Sequence, residues 1–261
     1  MHKLFSLLSV TLLIATLLIP LLSRAQTETI YGKTNEIDPS KPSNLYSSVN
    51  FSGEWQKLSG NVNTHGTRIS ASYAISEKNL LQVELPFMYN NQSKKIGIGD
   101  IRARYFGLLL KDDSKTINSF GGSVDVFAPT GSIQNGLGTG SWMIAPGVIG
   151  GITVTPKILL YPIISYVHVS QPGIPGMSET NGGSFEIISV FDLGSDSWIQ
   201  ITPKYAINDF KNNGNTNFNF HLDWGKMIRD DLSIGAEAFF EVKNKSGLQQ
   251  SFQISIAKFF Q

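Results

Sequence analysis

Long stretches of this chain alternate apolar and polar side chains at every second residue, and that rhythm restricts the fold more than any other feature. In 232–243, Leu232, Ile234, Ala236, Ala238, Phe240 and Val242 alternate with Ser233, Gly235, Glu237, Phe239, Glu241 and Lys243. In 217–225, Phe218, Phe220, Leu222 and Trp224 alternate with Asn217, Asn219, His221 and Asp223. In 248–260, Leu248, Phe252, Ile254, Ile256 and Phe260 alternate with Gln249, Ser251, Gln253, Ser255 and Ala257. A helix repeats every 3.6 residues, so a period of two held this long is strand. The same reading gives further strands near 44–55, 65–75, 79–89, 98–110, 118–128, 142–154, 157–169, 183–193 and 196–206, twelve in all. The segments run about 10–13 residues, whereas soluble strands cluster near 5–6 and a tilted membrane-crossing strand needs about 9–11.

The connections alternate in character. Ser76–Asn79, Lys111–Lys115, Thr155–Lys157, Gly194–Asp196 and Arg229–Asp231 are tight. The others, at 56–64, 90–97, 129–141, 170–182 and 207–215, are longer and rich in Gly, Asn and Pro, with a short one at 244–247. Short turns on one side and longer loops on the other predict an all-β, antiparallel transmembrane β-barrel of about 12 strands, its short turns periplasmic and its longer loops outside. Aromatics near strand ends fit interfacial girdles: Trp55, Tyr89 and Tyr205 towards the loops, Tyr73, Trp224 and Phe260 towards the turns. A soluble sandwich or lipocalin-like barrel is the competing reading. It has to explain long strands whose apolar face is balanced by a polar one.

Composition agrees with a barrel wall. Charged residues are 16% of the chain, below the roughly 25% of ordinary soluble domains. There is no cysteine, so the framework must be hydrogen bonds and buried surface. A net charge of +1 with no basic run excludes a nucleic-acid partner. No motif calls for a cofactor, and His65, His168 and His221 lie on separate strands, a weak basis for a metal.

At the N-terminus, Lys3, an apolar run from Leu4 to Leu22 and the small-residue site Ser23-Arg24-Ala25 follow the order of a secretory signal, so residues 1–25 are read as a signal peptide. An uncleaved anchor is the alternative, because the run is long enough to span. Residues 26–43 read as a polar periplasmic tether with Pro39 and Pro42, and 44–261 as the barrel domain. The expected location is the outer membrane of a Gram-negative bacterium, with outer-membrane lipid and the barrel-assembly machinery as partners.

If the apolar face meets lipid, its alternates line the interior. The lumen-lining candidates are Glu84, Asp100, Arg102, Arg104, Asp125, His168, Glu186, His221, Asp223 and Glu237, with Glu54, Arg68, Asp192, Lys204, Glu241 and Lys243 beside them. Charges on the lipid face would cost about 2–4 kcal/mol each for Arg or Lys at mid-bilayer. Asp100, Arg102 and Arg104 fall at i, i+2 and i+4 of one strand. Two readings stand: a basic ladder at a constriction, or arginines paired with Glu84 and Asp125 on neighbouring strands.

The run Gly97-Ile98-Gly99-Asp100-Ile101-Arg102-Ala103-Arg104-Tyr105, then Phe127-Ala128-Pro129-Thr130-Gly131-Ser132 and Gly136-Leu137-Gly138-Thr139-Gly140-Ser141-Trp142, resembles the outer-membrane family named for the MetA pathway of phenol degradation. There a GxGD opening a strand and a P-T-G … G-T-G loop recur in this order. The resemblance implies a twelve-stranded barrel that passes small, often hydrophobic or aromatic, compounds, and it implies no catalytic residues. The chain departs from the usual barrel ending, because Gln261 follows Phe260.

His168-Val169-Ser170, near Asn181, is similar to the His-x-Ser arrangement of outer-membrane phospholipase A, and a base beside a hydroxyl is the logic of nucleophilic catalysis. The Asn-Gly that follows the serine in that family is Gln171-Pro172 here. The expected function is a channel or uptake protein for small molecules. A structural barrel with a blocked lumen is the alternative, and a barrel enzyme using His168 and Ser170 comes last.

Overall fold

The computed structural model describes residues 37–170, 178–211, 216–243 and 247–260, with Lys243 known by its backbone alone. The proposed signal peptide and residues 26–36 lie outside the described residues. The strands are β1 (Ser47–Leu58), β2 (Asn63–Ser76), β3 (Asn79–Asn90), β4 (Lys95–Ile98), β5 (Ile101–Lys111), β6 (Ile117–Ala128), β7 (Met143–Thr155), β8 (Ile158–Val169), β9 (Thr180–Gly194), β10 (Ser197–Ile207), β11 (Thr216–Arg229), β12 (Leu232–Lys243) and β13 (Leu248–Phe260). Consecutive strands pair, except that β3 takes both β4 and β5; β1 also bonds β13, and β2 pairs with β3, so the sheet closes on itself.

The result is a closed antiparallel barrel of twelve long staves. β4 and β5 are one stave broken at Gly99-Asp100, since both pair with β3: Phe87 to Asn90 with β4, Asn79 to Glu84 with β5. Several strands run past the lengths read from the sequence. β1 continues to Leu58 and β2 begins at Asn63, so their connection shrinks to a four-residue turn around Gly60, whose φ is 74°. Ser195 and Asp196 both take positive φ (52° and 59°), the geometry that lets a two-residue hairpin follow the sheet's twist.

Closure gives the two strand faces different surroundings. Outward side chains are apolar and exposed, for example Ile164 at 61% and Ile254 at 59%. Inward ones are small or polar along most of the barrel. Near the tight turns the interior becomes a small apolar core of Phe106, Leu108, Ile149, Leu159, Tyr161 and Val190. Tyr161 is fully buried there.

Candidate functional site

Cross-strand registry assembles an ion-pair ladder on the inner wall. Arg68 on β2 reaches Glu54 on β1 at 3.0 Å and Glu84 on β3 at 3.3 Å. Glu84 also receives Arg102 of β5 at 3.1 Å, and Arg102 in turn reaches Asp125 of β6 at 2.7 Å. Arg104 completes the chain on Asp125 at 2.8 Å. Glu84 sits directly opposite Arg102, and Arg104 directly opposite Asp125, while the remaining contacts are diagonal. The Arg102 guanidinium also lies 5.3 Å over the Phe127 ring. Of the two readings of these arginines, the geometry is the paired one: three cations alternate with three carboxylates across five strands.

Asp100 is not part of that wall. It precedes β5, and its carboxylate accepts hydrogen bonds from the Gly131 and Thr139 N–H groups (3.0 and 2.7 Å) and from the Thr139 hydroxyl (2.8 Å). Thr130 Oγ1 donates to the Gly99 carbonyl, and the Asn90 amide to that of Gly136. The two glycine motifs are therefore the two halves of one clasp, which folds the 129–141 loop back over β5 and β3. At Gly138 an added Cβ would sit 2.5 Å from an Asp100 carboxylate oxygen and 2.7 Å from Gly131. No side chain fits there. Leu137 is buried beneath the clasp.

On the facing wall, Lys204 of β10 pairs with Glu186 of β9 at 3.2 Å, and His221 of β11 meets Glu237 of β12 at 3.3 Å. Asp223 stands opposite Glu237, and Asn219 opposite Glu241. Glu241 Oε2 and Asn219 Oδ1 are buried with no hydrogen-bond partner among the described residues. Asp192 is exposed at the turn end, where it accepts the Gly194 N–H.

His168 does not line the lumen. It shares its face of β8 with exposed Ile164 and Tyr166, so alternation points it outward. Its Nδ1 and the Tyr166 hydroxyl both bond Asn181 Oδ1 on β9. Ser170 Oγ instead accepts the Trp142 N–H at 2.9 Å, and no hydrogen bond joins His168 to Ser170 among the described residues. Among those residues no three His, Asp or Glu side chains converge as a metal site requires.

Sequence reasoning missed the segment just before β1. Residues 37–43, read as part of a tether, lie against the inside of the barrel at its turn end. The Gln200 amide donates to the Ser40 carbonyl at 2.9 Å, and the Ser43 and Tyr161 hydroxyls are 3.3 Å apart. Ile37 is buried with Ala257 and Phe259, Tyr46 meets Phe259 edge-on, and Leu45 packs on the apolar core. Burial lifts the Tyr46 phenol above its ordinary pKa, so it stays neutral while accepting the Asp38 N–H. The segment thus touches β8, β10 and β13, strands on different sides of the barrel.

Among the described residues, cavities follow one another through the interior, three of which bear on the site. One of about 280 Å³ lies under the clasp beside Glu54, Arg68 and Leu137. The next, about 370 Å³, shares Glu54 and Arg68 with it and is bounded across the lumen by His221 and Glu237. The third, about 330 Å³, shares Gln82 with the second and is floored by Pro39, Pro42 and Leu45.

No protein-family model matches the chain and no curated protein matches it, so the likeness to the phenol-pathway family rests on its glycine motifs alone. Solved structures do match. The COG4313 outer membrane channel from Pseudomonas putida F1 superposes with a TM-score of 0.63 at 11% identity, covering 89% of this chain and 100% of that one. The NanC porin gives 0.60 at 13% identity, covering 82% and 100%. The KdgM porin in complex with disordered oligogalacturonate gives 0.56 at 10% identity, covering 82% and 99%. At such identities the likeness is one of architecture: this chain folds as outer-membrane channels and porins fold.

Proposed function

We propose that the chain is an outer-membrane channel through which small water-soluble molecules diffuse. The observation that carries this is the column of three cavities, each with charged side chains in its wall, inside a barrel whose outer face is apolar. Charged side chains on such a wall need water or partners, and a wet lumen supplies the water. Outer-membrane lipid would meet the exposed band of Ile, Leu, Val and Phe, and the barrel-assembly machinery would insert it. The polar lining of the middle cavity weighs against the hydrophobic or aromatic solutes that the phenol-pathway resemblance implies.

A blocked barrel is the second reading, favoured by the segment at 37–46. The enzyme reading has little support, since His168 faces outward and Ser170 is engaged elsewhere. Planar-bilayer recording of the purified chain decides the matter. Small, steady unit currents are expected, because loop and segment both narrow the path. Absence of current, in the full chain and in a form lacking residues 37–43, would remove the channel reading.

A further inference from the structure

Every charged side chain lining these three cavities already has a partner. Glu54, Glu84 and Asp125 are held by Arg68, Arg102 and Arg104. Glu186 has Lys204, Glu237 has His221, Lys41 has Asp38, and Asp100 has the folded loop. What remains uncommitted in the middle cavity is neutral. Asn50 and Ser52 of β1, Ser70 of β2, Gln82 of β3, and Ser251 and Gln253 of β13 line it on four adjacent strands. Asn50 Oδ1 is buried there with no hydrogen-bond partner among the described residues.

This arrangement discriminates by charge. An ionic solute entering a narrow passage sheds hydration worth several kcal/mol and finds the charged groups that line these cavities already bonded to partners. A molecule carrying hydroxyls loses less and regains hydrogen bonds from the amide and hydroxyl belt. A purely apolar molecule would leave the same groups dry. Phe239 and Leu248 add a small apolar patch to the cavity, which suits a ring with C–H faces. Resting on the channel reading above, we propose that the belt selects small uncharged polyhydroxy solutes, such as neutral pentoses and hexoses, over charged analogues of equal size.

Swelling of liposomes containing the full chain tests this with glucose, glucuronate and glucosamine in turn. Glucose is expected to enter about fivefold faster than either charged sugar, the worth of roughly one uncompensated polar contact. Gln82→Met keeps the side chain's length and removes its hydrogen bonding; the glucose rate, relative to KCl conductance, should fall about fivefold. Glu84→Gln removes the carboxylate shared by Arg68 and Arg102, and should raise glucuronate entry. Equal or faster entry of a charged sugar in the unaltered chain overturns the proposal while leaving the channel intact. A barrel that passes neither ions nor any sugar removes the channel reading, and this inference with it.

Discussion

Ile254 and Gln253 are neighbours on β13 that face opposite media. Ile254 is 59% exposed on the outer surface, whereas Gln253 lines the middle cavity. An arginine at the first position would sit in hydrocarbon at about 2–4 kcal/mol, and at the second in a hydrated lumen opposite Glu237. Ile254→Arg should therefore deplete the folded, heat-modifiable form in outer membranes, while Gln253→Arg should assemble near normally. Equal yields would reverse the face assignment. The sequence showed this face plainly, because period-two alternation runs through the last three strands. It misplaced His168 for a related reason. Polarity suggested an inward residue, yet counting by twos from Ile164 makes it an outward one, at the rim where a polar side chain meets headgroups and water rather than hydrocarbon.

At the scale of elements, strand ends were less legible than strand middles. Alternation fades where both faces are wet, so the polar tail of β1, Gln56 and Lys57, reads as loop although it is paired with β2. The break between β4 and β5 was hidden too, since Asp100 keeps the parity of Arg102 while serving the loop instead of the wall. The clasp yields a prediction of its own. Asp100→Ala removes three hydrogen bonds to a carboxylate, each worth at most about 1.5–3 kcal/mol net and less where water reaches it. The 129–141 loop should then leave the mouth and expose Leu137, now buried. Chymotrypsin should cut at Leu137 faster than in the unaltered chain, with the barrel still folded. Unchanged protection would mean that the glycine backbone holds the loop without the aspartate.

For the whole molecule, the decisive feature is the piece least visible in the sequence. A segment that folds into a polar lumen has the same composition as one dissolved in the periplasm, so residues 37–43 carried no signal that separated the two. Their placement narrows the path at the turn end. They cross from Phe259 towards Tyr161 and Gln200, flooring the third cavity. The barrel does not depend on them for closure, which comes from the β1–β13 and β2–β3 ladders. Deleting 37–43 should therefore leave assembly intact and raise unit conductance severalfold. Tyr161→Phe, which removes only the hydroxyl contact with Ser43, should raise it far less. If the deletion assembles and conducts no better than the full chain, the bottleneck lies elsewhere, and the clasped loop at the opposite end becomes the element that sets the flow.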